Sequence, residues 1–172
     1  MAQIRLMLAA VTIGLLTVSC GSTVVGEPER ASGQEGLFNP CTDIPDSVIE
    51  EVGLDPATES VDVFGVEQPG WKICAWDGSW YGLSILSTRY TTDDIRKNPD
   101  YVEIVDIEIG GRTAIRYRKE SDAVGEGCYV VFPADQGSVW IRVQSTGLEP
   151  QDMPSCDMAK GLADDLVSYL PL

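Results

Sequence analysis

Residues 127–146 read GCYVVFPADQGSVWIRVQST, and this stretch predicts the centre of a β-sheet. Along residues 138–146, apolar side chains alternate with others, which is the pattern of a strand with one buried face. A loop of four residues around Asp135 joins this strand to a first strand at 127–133. In that register the opposing pairs are Phe132 with Val139, Val130 with Ile141 and Cys128 with Val143. These side chains therefore share one face, which we expect to be the core face.

Two strands at 71–76 and 80–88 form an earlier hairpin. Asp77-Gly78 between them is a favoured two-residue hairpin turn. That turn places Cys74 opposite Tyr81. The side chains that then share the face of Cys74 are Trp76, Leu83 and Ile85.

Residues 102–118 form a third hairpin with two competing registers. A two-residue turn at Gly110-Gly111 would place the apolar side chains on one face with three arginines. A three-residue loop that includes Arg112 avoids this. Its pairs are Ile107 with Ile115, Val105 with Tyr117 and Asp106 with Arg116. Because a slip of one residue moves every side chain to the other face, we predict the three-residue loop.

Three helices accompany the strands. One begins at residues 43–45 and ends at Gly53, and a second is capped by residues 91–94 and ends before Pro99. The third begins near Ser155, and its apolar stripe consists of Ala159, Leu162, Ala163, Leu166, Val167 and Leu170. This order of elements predicts an α+β fold, an antiparallel sheet of about six strands with helices packed on its faces.

The first twenty residues predict export and lipidation. Arg5 precedes an uncharged apolar run at 6–18, which is shorter than the about 20 residues of an ordinary membrane span. Cys20 then follows Ser19, as at the cleavage sites where a cysteine is acylated, although Thr17 stands where leucine is usual. A plain signal peptide with a free Cys20 thiol is the alternative. The predicted divisions are a lipoprotein signal peptide at 1–19, a flexible tether at 20–37 and one globular domain at 38–172.

Charge and composition exclude several classes of function. The chain has a net charge of −15 and no histidine. Nucleic acid is excluded as a partner, because binding to phosphates needs clustered lysine and arginine. Catalysis by Ser-His-Asp or Cys-His groups is excluded by the lack of histidine, and no glycine-rich phosphate loop follows a strand. We therefore expect no enzyme and no cofactor.

The cysteines predict two disulfides. Acylation of Cys20 leaves four cysteines, which allow three pairings. Cys128 faces the side that the last helix covers, and Cys156 opens that helix. Cys41 precedes the first helix, and Cys74 faces inward from a strand. The pattern favours Cys41–Cys74 and Cys128–Cys156, and a metal site is not expected without a Cys-x-x-Cys motif or histidine.

Two features are candidates for a partner-binding surface. Arg112, Arg116 and Arg118 form, with Lys119, a basic cluster that either binds an acidic partner or neutralises nearby carboxylates. Trp140 points away from the core face of its strand. It is therefore either an exposed partner anchor or lies under a helix or loop that covers the second face of the sheet.

Several of these motifs together resemble a known family. After the lipidation motif and the tether come Asn39-Pro40-Cys41, a short helix ending at Val52-Gly53-Leu54, then Cys74-Ala75-Trp76, Cys128 and Cys156. In this combination, residues 37–170 resemble the actinobacterial lipoproteins grouped as domain of unknown function 3558. The resemblance implies a PsbP-like α/β/α sandwich, an actinobacterial cell envelope and no catalytic residues. PsbP-like domains mostly act as accessory or binding proteins.

These observations predict a non-enzymatic protein that is lipid-anchored at the extracytoplasmic face of the cell membrane. Its expected partner is an envelope protein or a small ligand. The alternative is a carrier of a lipid or another apolar molecule, with its pocket between the sheet and the C-terminal helix. An exposed aromatic patch around Trp140 over a filled core would favour the protein partner, and a large apolar cavity would favour the carrier.

Overall fold

The structure is a computed structural model that describes residues 33–172. The predicted signal peptide, Cys20 and the tether up to residue 32 lie outside the described residues. Among the helices that the structure describes, none has the length and apolar character needed to span a bilayer.

One antiparallel sheet of seven strands organises residues 33–172. The strands are β1 (Ser60–Val61), β2 (Trp71–Asp77), β3 (Tyr81–Thr88), β4 (Tyr101–Ile109), β5 (Arg112–Lys119), β6 (Gly127–Ala134) and β7 (Gly137–Ser145). Their spatial order is β1-β2-β3-β7-β6-β5-β4. The predicted antiparallel sheet of about six strands is confirmed. The additional strand is the two-residue β1. Because β7 lies between β3 and β6, it joins hairpins that are far apart in the chain.

The helices within the described residues are α1 (Pro40–Asp43), α2 (Asp46–Glu51), α3 (Thr92–Lys97) and α4 (Ser155–Leu166), with 3₁₀ turns at Pro56–Thr58 and Val167–Tyr169. The helix predicted from residues 43–45 to Gly53 is α2, and the short helix α1 before it was not predicted. The predicted end of α2 is confirmed. Gly53 has a φ of 81°, and the Leu54 N–H donates to the Ile49 carbonyl at 3.0 Å.

The sheet buries side chains on both faces. On the helix face, the predicted apolar stripe of α4 is confirmed, since Ala159, Leu162, Ala163 and Leu166 are all buried in one cluster with the inward side chains of β6 and β7. We call the opposite side the groove face. It carries a smaller cluster, which consists of Ile95 from α3 with Ile115, Tyr117, Tyr129, Val131 and Trp140.

The register of residues 127–146 is as predicted, whereas that of the first hairpin is shifted. Phe132 pairs with Val139 as expected. Cys74 pairs with Ile85 and not with Tyr81, because the connection after Asp77 is longer than two residues and pairing begins at Gly82. The shift along β3 is an even number of residues, so every side chain keeps its predicted face.

The predicted register of the 102–118 hairpin is wrong by one residue. Ile107 pairs with Ala114, so Gly110 and Gly111 form a two-residue turn, and both have the positive φ that such a turn requires (57° and 74°). The apolar side chains of β4 therefore do share a face with the arginines of β5. Long arginine stems tolerate this, because they lie along apolar surface while the guanidinium reaches a polar partner. Asp106 forms its ion pair with Arg96 of α3 and not with Arg116.

Both predicted disulfides are present. Cys41 of α1 is bonded to Cys74 of β2, with 5.2 Å between the Cα atoms. Cys128 of β6 is bonded to Cys156 of α4, with a Cα separation of 5.0 Å. The chain-entropy model gives each loop of this length a stabilisation of roughly 3–4 kcal/mol. The two bonds fix a short helix and the C-terminal helix to the same face of the sheet.

Candidate functional site

Four aromatic side chains form an open groove on the groove face. Trp71, Tyr90, Tyr101 and Trp140 line a cavity of about 410 Å³ together with residues of α3. An adjoining cavity of about 280 Å³ shares three of these aromatic residues. We call the four side chains the aromatic groove. Apolar walls with a few polar groups at the rim are typical of ligand sites.

The strand order brings these residues together. Trp71 opens β2 and Trp140 lies in β7, and their rings meet edge to face with centroids 4.9 Å apart. Tyr90 follows β3, and its ring lies 5.7 Å from that of Trp71. Tyr101 opens β4 and lies 6.3 Å from Trp140. The Trp71–Trp140 and Tyr101–Trp140 contacts are edge to face and the Trp71–Tyr90 contact is tilted; contacts at these distances stabilise the rings against one another, so the groove is largely preformed.

A hydrogen-bond relay fixes the position of Tyr90. The Trp140 Nε1–H donates to the Ser138 hydroxyl at 2.7 Å. That hydroxyl donates in turn to the Tyr90 carbonyl at 2.5 Å. The Tyr90 ring itself is 55% exposed, so it forms the accessible wall of the aromatic groove while its backbone is held by the floor.

Stacked tyrosines continue the floor beyond Tyr101. The centroid of the Tyr117 ring lies 4.5 Å from that of Tyr101 and 4.7 Å from that of Tyr129. The rings of Tyr117 and Tyr129 are nearly parallel. Burial, with smaller contributions from the two neighbouring tyrosines, raises the pKa of Tyr117. The Tyr129 ring lines the smaller cavity, and its buried hydroxyl has no hydrogen-bond partner among the described residues. At this end the floor is therefore formed by aromatic rings.

The two ends of the site differ in charge. Lys119 and Arg142 line the smaller cavity, and their charged groups lie 5.3 Å and 5.7 Å from the centroid of the Tyr129 ring. Neither forms an ion pair within residues 33–172. Asp94 of α3 and Asn98, which follows α3, line the other end. The arrangement provides an apolar centre between a cationic end and an acidic end.

The acidic end is built by the start of α3. The Asp94 carboxylate accepts from the backbone N–H and the hydroxyl of Thr91, both in the capping box that begins the helix. These hydrogen bonds, the backbone one first, lower the pKa of Asp94. The carboxylate therefore stays charged at the rim of the groove at neutral pH.

Trp140 was predicted to be either an exposed partner contact or covered by another part of the chain, and in the structure it is covered. Its side chain is 4% exposed, because α3 and the surrounding aromatic rings lie over it. It can contact a ligand only from the floor of the groove. Trp71, Tyr90 and Tyr101, which form the accessible walls, were not predicted from the sequence as partner-binding residues. A cluster of aromatic residues at the beginnings and ends of predicted strands was the signal available for them.

Arg112, a second predicted partner-binding residue, makes its contacts within the domain itself. Its guanidinium lies 5.1 Å from the centroid of the Phe132 ring. It donates to the carbonyl oxygens of the C-terminal turn, namely Val167 at 3.3 Å, Leu170 at 3.2 Å and Pro171 at 2.6 Å. A cation at the carboxyl end of a helical segment is favourable. The side chain therefore holds the end of the chain against the sheet.

Arg118 is engaged in a similar way, and Arg116 is not. Arg118 is 8% exposed, is paired with Glu103 at 3.0 Å and donates to the carbonyl of Ala123 at 3.1 Å. The partly exposed Arg116 side chain has no ion pair or hydrogen bond within the described part of the chain. The three arginines thus do not form one accessible cluster, because the C-terminal turn and the β5–β6 loop take up two of them.

The structure offers no free set of metal ligands in the described residues. The side chains close enough to share an ion there are Cys41, Cys74 and Glu59, but the two sulphurs are joined in a disulfide. A disulfide sulphur lacks the thiolate charge that binds zinc.

Comparison with known proteins identifies the family of this chain. No curated protein and no solved structure matches it. The sequence model of a family described as a protein of unknown function (DUF3558) matches residues 15–169, which is most of the chain. The chain therefore belongs to the DUF3558 family of proteins of unknown function.

Proposed function

We propose that this protein is a non-enzymatic binding module of the cell envelope, held at the extracytoplasmic face of the cell membrane by an acylated Cys20. The aromatic groove is its binding surface, and its partner is an extended segment of another envelope protein. The observation that carries the proposal is the preformed aromatic groove with Tyr90 exposed at its wall. Tryptophan, tyrosine and arginine are the residues most enriched among energetically dominant contacts in protein interfaces.

The shape and charge of the groove indicate the kind of segment that it takes. An apolar side chain of the partner fits the aromatic centre over Trp140, where burial of apolar surface supplies the binding energy. An acidic side chain of the same segment fits beside Lys119 and Arg142, whose charges are not neutralised by a described carboxylate. The protein as a whole carries a net charge of −15, so its overall charge does not attract an acidic segment. The local attraction to Lys119 and Arg142 therefore determines the orientation of the bound segment more than its affinity.

The first described residues lie next to the aromatic groove. Gln34 donates to the carbonyl of Gln68 at 2.9 Å, and Gln68 lines the smaller cavity. Arg89 donates to the carbonyls of Gly33 and Glu35 at 3.1 Å and 2.7 Å. The first described residues, 33–35, therefore lie beside the aromatic groove.

The carrier alternative finds little support at its predicted position. The side chains between the sheet and α4 form one buried cluster, in which Leu83, Ile141 and Leu166 are fully buried. A cavity of about 480 Å³ does open between β4 and α4, but most of the side chains that line it are charged, namely Glu108, Asp157, Lys160 and Asp164, which does not suit an apolar molecule. A lipid between the sheet and α4 would have to displace this cluster, so the partner proposal is preferred.

The experiment is site-specific photocrosslinking in living cells of the source organism. A photoreactive phenylalanine replaces Tyr90 at the groove, and a matched control replaces Tyr169, which is 40% exposed and follows α4. We expect one reproducible protein crosslinked from position 90 and not from position 169. The crosslink should weaken when Trp71→Ala removes a groove wall, and also when Lys119→Glu reverses the charge at the cationic end.

Other results would contradict the proposal in separable ways. The same proteins from positions 90 and 169 would mean that the groove has no special role. A coextracted lipid or small molecule without a protein would favour the carrier. The intact mass of the mature N-terminus is measured on the same sample, and an unmodified Cys20 would remove the anchor while leaving the groove proposal testable.

A further inference from the structure

A small hairpin next to β1 exposes four apolar side chains, while the carboxylate of Asp62 between them is partly buried and exposed Glu67 follows the tip. Val61, Val63, Phe64 and Val66 are 50%, 45%, 99% and 61% exposed. We call residues 61–66 the apolar hairpin. Single exposed apolar residues are common on protein surfaces, but a contiguous group of them marks a contact surface.

The conformation of the tip does not favour the residue found there. Val63 and Val66 pair across the turn, and the two residues between them, Phe64 and Gly65, have φ values of 54° and 75°. Turns with two positive φ angles favour asparagine, aspartate and glycine, and a bulky side chain at positive φ is an outlier. Packing does not explain Phe64 either, since the side chain contacts almost nothing. Residues in unfavoured conformations are often retained for function.

Hydrogen bonds connect the base of the apolar hairpin to the N-terminal segment. Gln34 donates to the Gln68 carbonyl at 2.9 Å. The Gln68 side chain donates to the Val66 carbonyl at 2.9 Å. The segment that leads to Cys20 therefore starts beside the hairpin. Twelve residues lie between Cys20 and Gly33, and a chain of that length spans at most about 45 Å, so a membrane-anchored domain can place the hairpin against the bilayer.

We propose that the apolar hairpin is a second membrane contact, with Phe64 inserted at the boundary between headgroups and acyl chains. The proposal rests on the acylated Cys20 of the proposed function. The net charge of −15 gives no electrostatic attraction to anionic lipid, so the contact is an apolar one. Valine and phenylalanine side chains carry no hydrogen-bonding group, which suits the non-directional environment of acyl chains. Docking of the hairpin would fix the orientation of the domain and keep the aromatic groove close to the membrane surface.

The experiment places a fluorescent reporter at the tip. The acylated full chain carrying Phe64→Trp is reconstituted into phosphatidylcholine vesicles with bromine on either shallow or deep acyl carbons, and the signal of the unsubstituted protein is subtracted. The matched control is Leu148→Trp. Leu148 is 86% exposed and follows Thr146, which donates to the Trp80 carbonyl at the far end of β2 and β3. Both positions are exposed, so neither substitution should prevent folding.

When the protein binds the vesicles, we expect the fluorescence from position 64 to shift to shorter wavelength. Shallow bromines should quench the fluorescence from position 64 and leave that from position 148 unchanged. Equal losses at both positions, or no loss at position 64, would overturn the hairpin proposal. If the emission at position 64 is unquenched and a photocrosslinker at the same position captures a protein in cells, the hairpin is a protein contact. Failure of the protein to sediment with the vesicles would instead refute the anchor, which separates the two proposals.

Discussion

Replacing Arg112 with alanine tests the structural role that the fold assigns to a residue first predicted as a partner contact. The guanidinium donates to three carbonyls of the C-terminal turn at 3.3, 3.2 and 2.6 Å. Hydrogen bonds with one charged partner contribute about 1.5–3 kcal/mol each. The side chain is only partly buried, so water replaces much of this when it is removed. We therefore expect Arg112→Ala to lower the free energy of unfolding by about 2–4 kcal/mol, less than the sum of three bonds.

The assay is equilibrium unfolding in urea with both disulfides intact, followed by a thermal scan. For a domain of this size, such a loss lowers Tm by about 5–12 °C. Arg116→Ala is the matched control, because it removes a neighbouring arginine of β5 that makes no described ion pair, and its effect should stay within about 0.5 kcal/mol. Arg112→Lys keeps the charge but not the planar fork, so it should fall between the two. Equal stabilities for Arg112→Ala and Arg116→Ala would refute the reasoning.

Three further predictions concern the disulfides, the β4–β5 turn and the start of α3. Replacing Cys128 and Cys156 together with serine should cost about 3–4 kcal/mol, measured by urea unfolding, and an unchanged midpoint would mean that the bond does not form. Gly111→Ala should cost about 1–2 kcal/mol from its positive φ alone. Gly110→Ala should cost more in the same assay, because its Cβ would lie 2.5 Å from the Val167 side chain; equal costs would argue against this close approach of the turn to Val167. Asp94 has a lowered pKa in the folded state, so its stabilisation is present above the unfolded pKa and is lost as pH falls through the folded one. Unfolding curves of Asp94→Asn and the unsubstituted protein should differ at neutral pH and converge in acid, and a difference that persists at low pH would contradict this.

The stability predictions also bear on the proposed function. If Arg112 stabilises the fold, a loss of partner binding in Arg112→Ala could follow from unfolding and would say nothing about a contact. Substitutions at Trp71 and Lys119 are better probes, because these side chains line the groove and hold no chain end. Binding studies on this family member should therefore test the aromatic groove first.

The sequence by itself determined which side chains share a face in the β6–β7 hairpin and in α4. The alternation in residues 127–146 predicts the pairing of Phe132 with Val139, and the helical spacing in residues 155–170 predicts the buried stripe of α4. Among the three possible pairings, the same patterns favour Cys128 with Cys156, because Cys128 faces the side that α4 covers and Cys156 opens that helix, and this bond is present. These features are local, since periods of 2 and 3.6 residues leave a direct mark in the order of residues.

Only the tertiary structure decided the β4–β5 register and the aromatic groove. A two-residue turn at Gly110-Gly111 is acceptable only because Arg112 finds the carbonyls of a C-terminal turn about 55–59 residues away. The groove joins Trp71 of β2 to Trp140 of β7, which become near neighbours because β3 pairs with both of those strands. Whether Trp140 is covered or exposed depends on α3 and on rings from distant strands. Such contacts are set by strand order and by long side chains reaching distant partners, and neither leaves a periodic pattern in the sequence.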